Sequence, residues 1–170
     1  MTPERYFEAG DATWPAARRF AQGAWTLREG QGGGKRVSAA TARGPVTEDD
    51  IPQAEAAMRE MGQRPLFMVR GGEDDLDARL AARGYTVVDP VAVLSAPIET
   101  LTDVPIPPVT AFCIWEPLAI MAEIWAAGGI GPARLAVMAR AGTKTGILAR
   151  WNEKPAGVAF AAVHEDICMV

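Results

Sequence analysis

The sequence predicts an α/β fold of the α+β kind, with a predominantly antiparallel twisted sheet flanked by helices, and three observations carry that expectation. Apolar residues recur at helical spacing in several windows of about ten residues. Short apolar runs bounded by Gly and Pro lie between those windows. The last third of the chain holds two apolar runs, residues 144–151 and 156–163, joined by the polar turn Asn152-Glu153-Lys154-Pro155, the pattern of a hairpin.

Length and composition bound the rest. A chain of 170 residues with 49% hydrophobic content supplies the core of one ordinary domain or two small ones. A net charge of −4 and a pI near 5.1 argue against a phosphate-backbone surface, so nucleic acid is not an expected partner. Only Lys35, Lys144 and Lys154 among the 17 basic residues are lysines, a bias that carries little chemistry. No apolar run reaches the roughly 18 residues a membrane helix needs, and Met1-Thr2-Pro3-Glu4-Arg5 lacks the layout of a signal peptide. A soluble, cytoplasmic protein with no membrane partner is the expectation. Cys113 and Cys168 stand far apart and His164 is the sole histidine, so two buried free thiols are expected, with no disulfide and no metal.

Along the chain, Ala12, Trp14, Ala17, Phe20 and Ala21, with Pro15 early, predict a short helix over residues 11–22. Residues 25–28 and 36–41 read as extended, with Gly30-Gln31-Gly32-Gly33-Gly34-Lys35 as a flexible loop between strands. That loop misses the nucleotide-binding pattern Gly-x-x-x-x-Gly-Lys-Ser/Thr, since three residues separate Gly30 from Gly34 and Arg36 stands where the hydroxyl is needed. Thr47-Glu48-Asp49-Asp50 caps a helix bearing Ile51, Ala54, Ala57, Met58 and Met61, ended by Gly62. Residues 65–70 then read as a buried strand, 74–83 as a helix stopped by Gly84, and 85–88 as another strand. Prolines 90, 97, 105, 107 and 108 punctuate a connection, which divides the chain into units 1–107 and 108–170. In the second unit residues 109–115 are strand-like. Pro117 opens a helix bearing Leu118, Met121, Ile124 and Trp125, Gly128-Gly129-Ile130-Gly131 breaks it, and Pro132 restarts one through Arg140. His164-Glu165-Asp166 reads as a strand connection, and Ile167-Cys168-Met169-Val170 as a third strand.

The order strand, helix, helix, hairpin, strand resembles the first half of a GNAT-type N-acetyltransferase. Arg150-Trp151-Asn152-Glu153-Lys154-Pro155-Ala156-Gly157-Val158-Ala159 is the clearest local match, within about sixty residues of coverage. The first unit resembles a degenerate copy of the same family, through Leu76-Asp77-Ala78-Arg79-Leu80-Ala81-Ala82-Arg83-Gly84-Tyr85. The resemblance implies transfer of an acetyl group from acetyl-coenzyme A to a small-molecule or peptide amine. It also places a proton-donating tyrosine where this chain has Leu80, which cannot transfer a proton.

The family's pyrophosphate signature, Gln or Arg, two residues, Gly, one residue, Gly or Ala, does not occur in the sequence; the equivalent stretch of the first unit is Ala42-Arg43-Gly44-Pro45-Val46-Thr47. On the resemblance, the chain stops in the strand that leads into that loop, so the second unit is expected to be truncated and transfer by this chain alone weak or absent. The strand edge at Val170 is expected to be covered by the first unit or by a second copy, giving a homodimer.

The resemblance further implies that the loop between the first two helices lines the acceptor cleft. The candidate substrate-binding residues are therefore Trp115, Glu116, Glu123, Trp125, Gly129 and Ile130. No catalytic residue is assigned. Glu116 or Glu123 is chemically able to orient an amine, though neither has a partner legible from spacing; Arg134 and Arg140 suit either an anion or apolar cover. The competing expectation is a noncatalytic small-molecule-binding or regulatory module.

Overall fold

The computed structural model describes residues 2–170, which form a mixed α+β fold with five α-helices and two antiparallel sheets. The first sheet has the order β1 (Arg18–Gln22), β2 (Trp25–Glu29), β3 (Thr41–Ala42). The second has the order β4 (Ala111–Ile114), β5 (Thr143–Trp151), β6 (Lys154–His164), β7 (Ile167–Met169). The helices are α1 (Pro3–Thr13), α2 (Asp50–Glu60), α3 (Asp74–Ala82), α4 (Ala119–Ala127) and α5 (Pro132–Arg140).

The expected helix over residues 11–22 is corrected to a helix that ends at Thr13 followed by strand β1. Pro3 supplies a fixed φ at the start of α1, while Pro15 pushes Trp14 out of the helical region, to φ −134° and ψ 67°. Arg18 to Gln22 then pair with Glu29 to Trp25 across a two-residue turn whose Gly23 takes φ +56°. Residues 36–38 are not extended either, although Ala40 bridges Phe67 and Thr41 opens β3 as expected. Ser38 and Ala39 donate backbone N–H bonds to the Lys35 carbonyl, and the Ser38 hydroxyl donates to the Gly34 carbonyl at 3.0 Å, which rolls the segment into a turn.

Helix α2 follows its pattern. Both the amide and the hydroxyl of Thr47 donate to the Asp50 carboxylate, at 2.8 and 2.6 Å, and these bonds hold that carboxyl below its usual range. Ile51, Ala54, Ala57 and Met58 face inward onto Trp25 and Leu27 of β2 and onto Leu76 and Leu80 of α3. Gly62 at φ +70° and Gly84 at φ +86° end the two helices in the left-handed region that a Cβ disfavours. The strands expected at 65–70 and 85–88 do not form. Phe67 makes only an isolated parallel bridge to Ala40, and Val87 and Val88 are 76% and 53% exposed with no partner strand. Strand propensity expresses packing against neighbours, and here no neighbour arrives.

In the second sheet the hairpin turn lies at Asn152 and Glu153, both at positive φ, and the register slips by one residue at Ala149/Arg150. Helices α4 and α5 lay Met121, Trp125 and Met138 over Leu148, closing a second core. Gly146 is needed there: a Cβ would stand 2.7 Å from Met121 Cε and 2.9 Å from the Ile114 carbonyl oxygen. The expectation of two buried thiols is corrected, since Cys113 on β4 and Cys168 on β7 are both exposed; each points off the face that the helices cover.

Two features join the cores. Helix α1 lies against β6 and β7, and Arg5 pairs with Glu165 and Asp166 in the turn between them. On its other side Asp11 receives two bonds from Arg28 of β2, at 3.0 and 2.8 Å. The glycine loop is not a free connection: Gly33 is buried, and a Cβ there would overlap the Val137 side chain on α5. Gln63 fixes the loop's start, accepting from the Gly30 amide at 2.7 Å and donating to the Arg28 carbonyl at 2.8 Å.

Candidate functional site

The seam between α1, the glycine loop and the second sheet contains an open cleft of about 360 Å³, at the small end of the roughly 300–1,000 Å³ range of ligand pockets. Trp14, Arg36, Trp125, Ile130, Val158 and Phe160 form most of its wall. Each arrives for a local reason. Trp14 is expelled from α1 by the following proline; Trp125 and Ile130 flank the glycine break after α4; Val158 and Phe160 alternate on β6. The ring of Phe160 meets Trp14 at 5.8 Å and 70°, and Trp115 at 5.9 Å and 63°, both edge-on arrangements that lock the aromatic row. Behind it Trp115 carries the Lys144 ammonium 5.0 Å from its ring centre.

One charged side chain lines the cleft, Arg36. It is exposed and makes no hydrogen bond or ion pair among the described residues; partial desolvation lowers its pKa, an effect that Asp11 partly opposes. Asp11 does not neutralise it. That carboxylate is already held bidentately by Arg28, itself 2% exposed, with Arg19 a further 3.6 Å away. Two guanidinium groups thus take that carboxylate, and the exposed Arg36 faces the cleft unpaired.

Of the residues expected to bind substrate, Trp125 and Ile130 line the cleft and Trp115 supports it through Phe160. Gly129, at φ +80°, shapes the turn that presents Ile130. Glu116 and Glu123 are exposed, lie outside the cleft wall and form no hydrogen bond or ion pair among the described residues. Arg140 instead donates to the Pro15 carbonyl at 3.2 Å, and Arg134 lies beside Gly34. His164 precedes the β6–β7 turn, away from the cleft. Trp14, Arg36 and Phe160 were not expected. Trp14 and Phe160 read as ordinary core residues, and Arg36 gains its position only when the glycine loop docks on α5.

A second concavity, lined by Glu55, Arg59, Arg83, Gly84 and Tyr85, is already satisfied. The Tyr85 hydroxyl donates to Glu55 at 2.9 Å, Arg59 pairs with the same carboxylate at 3.2 Å, and Arg83 lies 3.8 Å from it. Burial, then the bond to Glu55, pushes the Tyr85 phenol up to about 12, which makes it a poor proton donor near neutrality. Among the described residues no three His, Cys, Asp or Glu side chains gather as a metal site, and no helix is long and apolar enough to cross a membrane.

The fold and site therefore define an α+β protein with two antiparallel sheets and a small cleft of aromatic walls and one free cation. No protein family matches the chain, and no curated protein and no solved structure matches it.

Proposed function

We propose that the second sheet with α4 and α5 is the acceptor-side half of a GNAT-type N-acetyltransferase, using acetyl-coenzyme A to acetylate an amine. The observation that carries this is the element order β4, α4, α5, β5, β6, β7, with those four strands adjacent and antiparallel in chain order. The cleft in which Trp125 and Ile130 stand beside Val158 and Phe160 of β6 supports that reading, since an acceptor has room there. In the reaction the amine nitrogen attacks the thioester carbonyl; the C–N bond forms, the C–S bond breaks, the nitrogen loses a proton and the thiolate takes one up. This chain supplies no assigned proton carrier for that last step: Leu80 is buried and aliphatic, and no acid or histidine lines the cleft. The 170-residue chain is therefore expected to release thiol from acetyl-coenzyme A slowly or not at all.

The test has two arms. Any product of the reading frame that carries Gln/Arg-x-x-Gly-x-Gly/Ala and a helix beyond Val170 is expected to release one thiol per acetylated amine. A stop codon directly after Val170, with no thiol release across a panel of amines, would overturn transfer. A cleft wall whose one charged side chain is an arginine, with no Asp, Glu or His, favours in that event the second reading, a noncatalytic module that binds a small molecule.

A further inference from the structure

The cleft carries more information than its position, because its chemistry has two distinct ends. One is the Arg36 guanidinium, without a partner among the described residues and beside a carboxylate that Arg28 already occupies. The other is an apolar wall of Trp14, Trp125, Ile130 and Phe160. Arg36 is exposed at the edge of that wall with none of its donors taken among the described residues, and its planar fork matches a carboxylate bidentately. The aromatic rims favour a flat or branched apolar body over a sugar or a polyamine. A polyamine is further disfavoured, since its charge has the sign of Arg36 and no acidic side chain lines the cleft.

We propose that the cleft binds a free amino acid with a large apolar side chain, its carboxylate on Arg36 and its side chain against Trp14, Trp125 and Phe160. The α-amino group is then the nitrogen that receives the acetyl group; that last part rests on the transfer reading above, whereas the carboxylate and side-chain contacts rest on the cleft alone. The class excludes amines without a carboxylate and amino acids without an apolar side chain. Arg36 is here a specificity residue, contributing binding and not proton transfer.

The experiment is a titration of the chain, without acetyl-coenzyme A, followed through the indole N–H resonances of its tryptophans. L-phenylalanine is expected to shift Trp14 and Trp125 saturably and to leave Trp25 in place, since that indole donates to the Asp50 carbonyl in the other core at 2.9 Å. Phenylalaninamide, which lacks the carboxylate, and glycine, which lacks the side chain, are each expected to bind at least about tenfold more weakly, the scale of one charge-assisted bond or one buried apolar side chain. Arg36→Gln is expected to abolish the preference for phenylalanine over its amide while its spectrum stays native. Should Arg36→Gln not fold, the three-ligand comparison on the unaltered chain decides alone. Equal binding of phenylalanine and the amide, or no shift of Trp14 and Trp125 with any of them, would overturn the assignment. Acetylation of amines without a carboxylate preference would overturn it too and leave the transfer reading standing; carboxylate-dependent binding without acetylation by the whole reading frame's product would do the reverse.

Discussion

At the residue scale, single contacts decide how this chain is held together. Arg28 is buried at 2% exposure and satisfies Asp11, the Ala39 carbonyl and the Thr41 hydroxyl at once. Replacing it with Met leaves Asp11 without its main partner, and we expect a loss on the order of 3 kcal/mol in urea unfolding, the usual consequence of breaking a buried pair from one side. Asp11→Asn in the same background is expected to return part of that loss, because the unpaired charge is gone. Gly146→Ala meets the Ile114 carbonyl, a backbone atom that cannot rotate away, so about 1–3 kcal/mol of overpacking is expected in the same assay. An unchanged midpoint for either variant would show that the packing described around it is wrong.

At the element scale, what local sequence dictates was legible and what distant partners dictate was not. Helices α2 to α5 are readable from local signals, a cap before α2, a proline before α4 and at the start of α5 and a glycine stop after α2, α3 and α4, and the β5–β6 hairpin from two apolar runs about a polar turn. Residues 65–70 and 85–88 have the composition of strands, yet a strand exists only where a neighbour supplies hydrogen bonds, and Val87 and Val88 find none. Arg18 to Gln22 failed in the opposite direction: a helical stripe was read through Pro15, although the residue before a proline resists the helix and Gly23 marks a tight turn.

The contact between α2 and the chain just after α3 offers a pH test. With its phenol pushed up from 10.0 to about 12, Tyr85 stabilises the fold while protonated; that contribution is complete below pH 10 and disappears as pH rises through about 12. Tyr85→Phe is expected to be less stable than the parent at neutral pH by the worth of one hydrogen bond, about 1 kcal/mol, and to lose less stability over that alkaline window. Parallel pH–stability curves for the two proteins would contradict the Tyr85–Glu55 bond.

At the scale of the whole molecule, the two cores are bridged by α1, which touches β6 and β7 on one side and Arg28 on the other, and by Gly33 packed on Val137. That bridging makes the cleft, whose walls come from residues as far apart as Trp14, Arg36, Trp125 and Phe160. Two of the six named wall residues were legible: Trp125 and Ile130 sit at a glycine break that any reader of the sequence can find. Arg36 was not, because no spacing rule connects a turn after a glycine loop to a strand more than a hundred residues later. Bridged cores are expected to melt together, so far-UV and near-UV circular dichroism should give one coincident transition; two separated transitions would contradict the bridge.

The proposed transfer of acetyl groups onto amines is read out by product analysis. The protein of the complete reading frame is incubated with acetyl-coenzyme A and a mixture of amino acids and simple amines, and the mixture is read by mass spectrometry. An N-acetylated amino acid with an apolar side chain, formed in equal amount to free coenzyme A thiol, is the predicted result. No acetylated amine from a natively folded protein, or thiol release matched only by free acetate, would contradict it.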